Sequence, residues 1–284
     1  MSAGAIPRLV ATALTPAAGQ LGAVEARRML RHPVYGIAAL YLVTFAVAGL
    51  FQDGGPPANA WYVLVLLDFL LVYAPATLIV ANRVAAATYR RRAREPLDGA
   101  PVGGRQRTVG AILGLLRGPV VASLLAGLVV VVLGLFTTAT TSDPLTVVYP
   151  RAPLVYLQLP ALTLGAGLLG IAVARWLPRP GALPLAAAAV LLCFLTVFQF
   201  TASATVPTRT WFALWPVWMG GSEGMLPPQP LHQEMWHLAY LVGLGALAGI
   251  AALLRTEGPR RTLWTAAVLT AAGTVLASWL QLGR

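Results

Sequence analysis

The sequence predicts an all-α fold, a polytopic integral membrane protein with seven spanning helices. Three observations lead there. The chain is 58% hydrophobic and only 10% charged, whereas soluble domains carry about 25% charged residues, and its mean hydropathy is +0.74. Seven apolar runs of 17 residues or more punctuate it, and roughly 17–25 residues suffice to cross a bilayer. The arginines, finally, cluster between particular runs instead of spreading evenly. All 20 basic residues are Arg, which reads as the coding bias of a GC-rich bacterium. The net charge of +11 then reports topology and contact with anionic headgroups, not a nucleic-acid partner.

Segment 1–20 is weakly apolar and broken by Pro7 and Pro16, which argues against a cleaved signal peptide. Residues 17–33, AAGQLGAVEARRMLRHP, carry Leu21, Val24 and Arg28 at helical spacing, with Glu25, Arg27, Arg28 and Arg31 ahead of Pro33. This pattern predicts a helix in the headgroup layer, its apolar side in lipid and its arginines toward phosphates. The first span is 35–51, and the turn after it, QDGGPPANA, has no basic residue. The second span, 60–81, opens on Trp61 and Tyr62 as an interface belt and contains Asp68. A carboxylate inside an apolar run is a candidate functional group. Its alternatives are a polar clasp to a neighbouring helix, such as the one carrying Thr44, and a part in handling substrate or protons.

Residues 82–108 hold seven arginines. Each uncompensated Arg in hydrocarbon costs at least about 2.5 kcal/mol, so this stretch is a solvated loop, and the positive-inside bias assigns it to the cytoplasm. The third run, 109–136, would reach about 42 Å as a helix at 1.5 Å per residue, more than one crossing needs. Arg117, Gly118 and Pro119 interrupt it, predicting a bend near Pro119 with Arg117 snorkelling to the inner surface. After an outer loop, the fourth span, 152–174, carries Gly165, Gly167 and Gly170 for close helix contact. RWLPRPG (175–181) is an inner turn. The fifth span, 182–202, contains the one cysteine, Cys193, read as packing.

Segment 203–235 is an outer aromatic insert in which Trp211, Trp215 and Trp218 share one helical face. It serves as an anchor at the headgroup boundary or as a contact for a departing amphiphile. The sixth span, 236–254, has Gly245 and Gly249 as a GxxxG pair, RTEGPRR lies inside, and a seventh run at 262–280 is flanked by Trp264 and Trp279. The C-terminus then falls outside. This topology leaves only Arg151, Arg209 and Arg284 outside, with the other 17 of the 20 arginines inside.

No GxxxxGK[ST] is present, so the chain has no phosphate-binding loop of the ATPase kind. His232, Glu234 and His237 in HQEMWH space their histidines by five residues, whereas a helical zinc pair needs four to converge on one face. There is no nucleophile elbow. The expectation is a chain that binds no cofactor or metal and performs no covalent chemistry.

The basic lead-in GAVEARRMLRHP, the short outer turn, the loop RRRAREPLDGAPVGGRQR and the aromatic insert together resemble the permease subunit of a type-2 ATP-binding-cassette (ABC) exporter, over residues 17–254. In that family the segment after the second span holds a short coupling helix with an acidic residue, then a Gly and a Pro. Glu95, Asp98, Gly99 and Pro101 fit it. The resemblance implies a cytoplasmic N-terminal region, 1–34, whose connecting helix carries Glu25, Arg27, Arg28 and Arg31, and a six-span domain, 35–254, with 82–108 as coupling loop. It further implies that Arg91, Arg92 and Arg94 pair with acids on separate ATPase subunits, which hold ATP and Mg, while Glu95, Leu97 and Asp98 form the seated face. A second copy or a related permease would complete the pathway in the cell membrane. The cargo would be hydrophobic or amphiphilic. Six spans are usual there, so 262–280 is an addition. The competing reading is a non-transporting scaffold or assembly partner, for which spans and loops suffice; an intramembrane enzyme has little support in the residue inventory.

Overall fold

The computed structural model describes residues 16–50, 60–87, 103–136, 153–179, 181–202 and 230–282. Among these residues every regular element is helical, as hydrocarbon demands, since a helix satisfies its backbone groups without water. Helix α1 is Pro16–Leu30 and α2 is Val34–Leu50. Helix α3 covers 60–87 in three pieces, Ala60–Asp68, a π-helical turn Phe69–Tyr73, and Ala74–Ala87. Helix α4 covers 104–136 in the same manner, Gly104–Leu115, a π turn Leu116–Val120, and Val121–Phe136. Helix α5 opens with a 3-10 segment, Pro153–Leu157, and continues as Gln158–Trp176; α6 is Ala182–Ala202, α7 is Leu231–Leu254 and α8 is Arg260–Leu280.

Among the described residues five helices are long and apolar enough to cross a membrane, the stretches being Leu64–Ala87, Gly104–Val132, Leu154–Trp176, Leu231–Leu254 and Arg260–Leu280. Val34–Phe45 and Ala182–Cys193 are shorter apolar stretches of α2 and α6. The chain thus has the character of a multi-pass membrane protein.

Helix α5 is central, packed on α3 to one side and α7 to the other. Its glycines serve three neighbours. Gly170 lies against the Leu78 carbonyl of α3, Gly167 against the Leu115 side chain of α4, and Gly165 against Gly245 of α7. One buried cluster, including Met29, Val80, Ala111, Leu115, Ile171 and Ala252, joins α1, α3, α4, α5 and α7. A second, with Leu66, Phe69, Leu70, Val130, Val155 and Leu159, lies further along α3, α4 and α5. Helix α8 runs antiparallel to α7, since Gly243 meets Thr274 while the earlier His237 meets the later Gln281.

Several expectations change in detail. Helix α3 continues past residue 81 to Ala87, because VAAA favours helix strongly. Helix α4 starts at Gly104, not 109, and α7 at Leu231, so the last five residues of the 203–235 insert are helical; Pro230 immediately precedes them, where a missing N–H costs nothing. Helix α1 does not turn its apolar side wholly to lipid. Its buried face is Ala18, Gly22, Glu25, Ala26 and Met29, seated on α4, while Val24 and Leu30 remain exposed. Cys193 is exposed on a side of α6 that also shows Leu185 and Leu192, so it is not a packing residue within this chain.

Candidate functional site

Of the residues singled out in the sequence, Arg91, Arg92, Arg94, Glu95, Leu97 and Asp98 lie outside the described residues, as do Gly99, Pro101, Trp211, Trp215 and Trp218. Glu25, Arg27, Arg28, Arg31 and Asp68 lie within them. They fall into two separate places, one at the arginine-rich end of the helices and one inside the apolar region.

At the arginine-rich end, α1 runs parallel to the first half of α4. Residues four apart lie on one face of a helix, and here two such rows interlock, Ala18, Gly22 and Ala26 on α1 with Gly110, Gly114 and Gly118 on α4. A methyl group built on Gly22 would lie 2.7 Å from Leu113 Cβ; on Gly110, 2.6 Å from Leu21 Cδ2; on Gly114, 3.0 Å from the Ala26 amide nitrogen; on Gly118, 3.2 Å from the Ala26 carbonyl oxygen. The two backbones are therefore as close as glycine permits. Arg117 adds a hydrogen bond from Nη1 to the Gly19 carbonyl at 2.6 Å, so the snorkelling expected of it ends on a helix backbone.

Glu25 faces this seam and accepts hydrogen bonds from Arg28 Nη1 at 3.2 Å. Burial pushes its carboxyl above the usual range, and Arg28 opposes the shift. Arg27 and Arg31 are exposed. In the turn that follows, His32 accepts the Val34 N–H at Nδ1, 3.3 Å away. Its pKa is lowered by burial and by the neighbouring Arg83 charge. The α7–α8 loop reaches the same end: Gly258, at φ +148°, lies against Arg105 of α4. Trp176 Nε1 donates to the Ala251 carbonyl at 2.8 Å, and the Arg255 guanidinium sits 5.6 Å over the Trp176 ring, a cation–π geometry. Residues 88–102 thus join helices that are gripped at this end.

Inside the apolar region, Asp68 is fully buried, at 0% exposure. Neither carboxylate oxygen has a hydrogen-bond partner among the described residues, so the contact with Thr44 does not form. The polar clasp at this level is made by other residues, which sequence reasoning missed. Tyr73 donates from its hydroxyl to the Pro119 carbonyl at 3.0 Å, Thr77 donates to the Tyr73 carbonyl at 2.9 Å, and Tyr35 donates to Thr77 Oγ1 at 3.0 Å. The Tyr35 and Tyr73 rings lie 5.1 Å apart, and Phe69 and Tyr73 4.6 Å apart. These bonds tie α2, α3 and α4 at the level of both π turns. Pro119 lacks an N–H and its ring crowds the carbonyl one turn back; widening the helix to a π turn relieves the clash. The signal in the sequence was that proline inside an apolar run, which fixed the site on α4 but not its tyrosine partner.

The opposite end of α5, α7 and α8 holds a third polar group. Gln158, Glu234, His237 and Gln281 are exposed by only 1%, 3%, 0% and 3%. His237 Nδ1 and Gln281 Oε1 are 3.0 Å apart, and Glu234 lies one turn before His237 on the same buried side of α7. His232 is exposed, so the three HQEMWH residues do not converge. No group of three His, Cys, Asp or Glu side chains fit to hold a metal occurs among the described residues. No protein-family model and no curated protein matches the chain.

Proposed function

We propose that this chain is the membrane-spanning subunit of an ATP-driven exporter of the type-2 ABC kind, moving a hydrophobic or amphiphilic substrate out of the cytoplasm or inner leaflet. Its arginine-rich end faces the cytoplasm of the cell. The observation that carries the reading is mechanical. Residues 88–102 connect α3 to α4, and both helices are clamped close to that loop, α3 by Gly170 of α5 and α4 by the interlocked row of α1. A push on the loop moves packed helices together instead of bending a free end. The two π turns, joined by the Tyr73–Pro119 bond, supply places where α3 and α4 change direction.

On this reading α1 is the connecting helix, Arg91, Arg92 and Arg94 pair with acids of a separate ATPase carrying ATP and Mg, and Glu95, Leu97 and Asp98 seat in its groove. Helices α2 to α7 form the six-span core, and α8 is an addition on its flank. The exposed apolar sides of α2 and α6, with Leu40 at 66% and Leu185 at 70% exposure, offer surface to lipid and to a second permease. Affinity-tagged chain, purified in mild detergent, should bring down a nucleotide-binding subunit, and reversing Arg91, Arg92 and Arg94 to Glu together should deplete it. A triple variant that retains its full complement of ATPase refutes the coupling assignment.

A further inference from the structure

We propose that Asp68 is a proton-binding site, taking up a proton in the closed packing of α2, α3 and α4 and releasing it when that junction opens to water. The inference needs only a buried carboxyl group in a membrane helix, and stands whether or not the chain moves a cargo. Asp68 is fully buried and both oxygens are without a hydrogen-bond partner among the described residues. The first part of α3 packs on α2, on its own π turn and on α4. None of Val34–Leu50, Phe69–Tyr73 and Val121–Phe136 contains Arg, Lys, His, Asp or Glu. The titratable groups on these elements are Tyr35, Tyr41 and Tyr73, with Tyr156 on the 3-10 start of α5. Among the described residues of α4, the cation nearest in sequence to this apolar half is Arg117, which is engaged with Gly19 on α1.

Among the described residues an ionised carboxylate there has no cation and no donor to replace the water it lost, a cost of many kcal/mol. A neutral acid has only a polar group to bury. The closed packing therefore selects the protonated form. Release breaks the carboxyl O–H bond, hands the proton to water and leaves a carboxylate that water must hydrate. Asp68 directly precedes the π turn Phe69–Tyr73, and Tyr73 is that turn's last residue. On this proposal the clasp from Tyr73 to Pro119, at the other end of that turn, is the contact that parts when water arrives. Proton release and opening of the π-turn junction are then one linked equilibrium, shifting by up to about tenfold per pH unit for one proton.

Infrared spectra of the full chain in lipid nanodiscs, with ¹³C-labelled aspartate, test this. The four aspartates are Asp53, Asp68, Asp98 and Asp143, and hydrated ones are ionised at neutral pH. The expected result is a carboxylic-acid C=O band at neutral pH that moves with the label, exchanges slowly in D₂O and disappears in Asp68→Asn. Amide exchange of 69–73, corrected for intrinsic base catalysis, should rise with pH in the wild type and stay level in the variant. A wild-type spectrum without a labelled acid band overturns the proposal, and it does so even if the variant fails to fold. A band that survives Asp68→Asn overturns it equally. Loss of ATPase binding with the acid band intact bears on coupling alone, so the two proposals fail separately.

Discussion

Gly170→Ala measures how tightly the loop-bearing helix α3 is held. A Cβ on Gly170 would overlap the Leu78 carbonyl oxygen and come within 3.1 Å of the Leu78 carbonyl carbon and 3.2 Å of the Asn82 nitrogen. All three obstacles are backbone atoms of a helix and cannot rotate away, so α3 and α5 must part by about 1 Å, an overpacking cost of about 1–3 kcal/mol. The same separation stretches the bond from Asn82 Nδ2 to the Gly170 carbonyl, 3.0 Å long, which adds about 0.6 kcal/mol, the mean for interhelical bonds in membranes. Gly273→Ala in α8 is the matched control, with nothing within 4 Å of its new methyl, and carries only the helix-propensity gain common to both. The difference between the variants is then about 1.6–3.6 kcal/mol, roughly 15- to 400-fold in the unfolding equilibrium. Reversible unfolding in mixed micelles reads it. Variants that agree within about 0.5 kcal/mol would refute the close approach of α3 to α5.

Gly114→Leu should release α1 from α4, because the new side chain meets Glu25 and the Ala26 backbone; amide exchange of 16–30 should speed up while α5 and α7 stay protected, and unchanged protection of 16–30 contradicts the seam. Burial raises the Glu25 pKa, so docking of α1 gains from protonation below the usual carboxyl range and loses that gain as pH rises through the docked value. Glu25→Gln should accordingly hold α1 at least as well at neutral pH, by less than about 1 kcal/mol since the Arg28 side chain is 55% exposed and screened, and should match the wild type in acid. Strong loss of protection at neutral pH would show that the ion pair with Arg28 dominates instead. Tyr73→Phe removes one interhelical bond and keeps the tilted ring contacts, so stability should fall by about 0.6 and at most about 1.7 kcal/mol, with no measurable change counting against the clasp. Gln281→Ala takes away one contact of His237 and should raise exchange over the last turns of α8 before any other helix responds.

The legible part of this chain was what hydropathy and charge can carry: helices in the right order, a break at Pro119, and glycines at positions of close contact. Gly170 and Gly245 were recognisable because a small residue repeating along an apolar helix has few other uses. Which neighbour each glycine meets was not, since a stripe on one helix does not name its partner, and in α5 Gly165, Gly167 and Gly170 serve three helices. The α1 seam shows the same limit from the other side. Its row of Ala18, Gly22 and Ala26 is as regular as that of Gly110, Gly114 and Gly118, yet the arginines of α1 drew the reading toward lipid headgroups, because a charged helix and a close-packed helix differ only in which face is examined. The buried polar groups escaped for a further reason. Tyr35, Thr77 and Tyr73 are ordinary in any membrane helix, and 38 residues separate Tyr35 from Tyr73, so only the fold brings them to Pro119. Asp68 stood out in the sequence as the one acid deep in an apolar run, and what the fold adds is negative among the described residues: burial without a partner. That combination leaves proton exchange with water as the simplest chemistry for it, and ties any charge on it to movement of the helices around it.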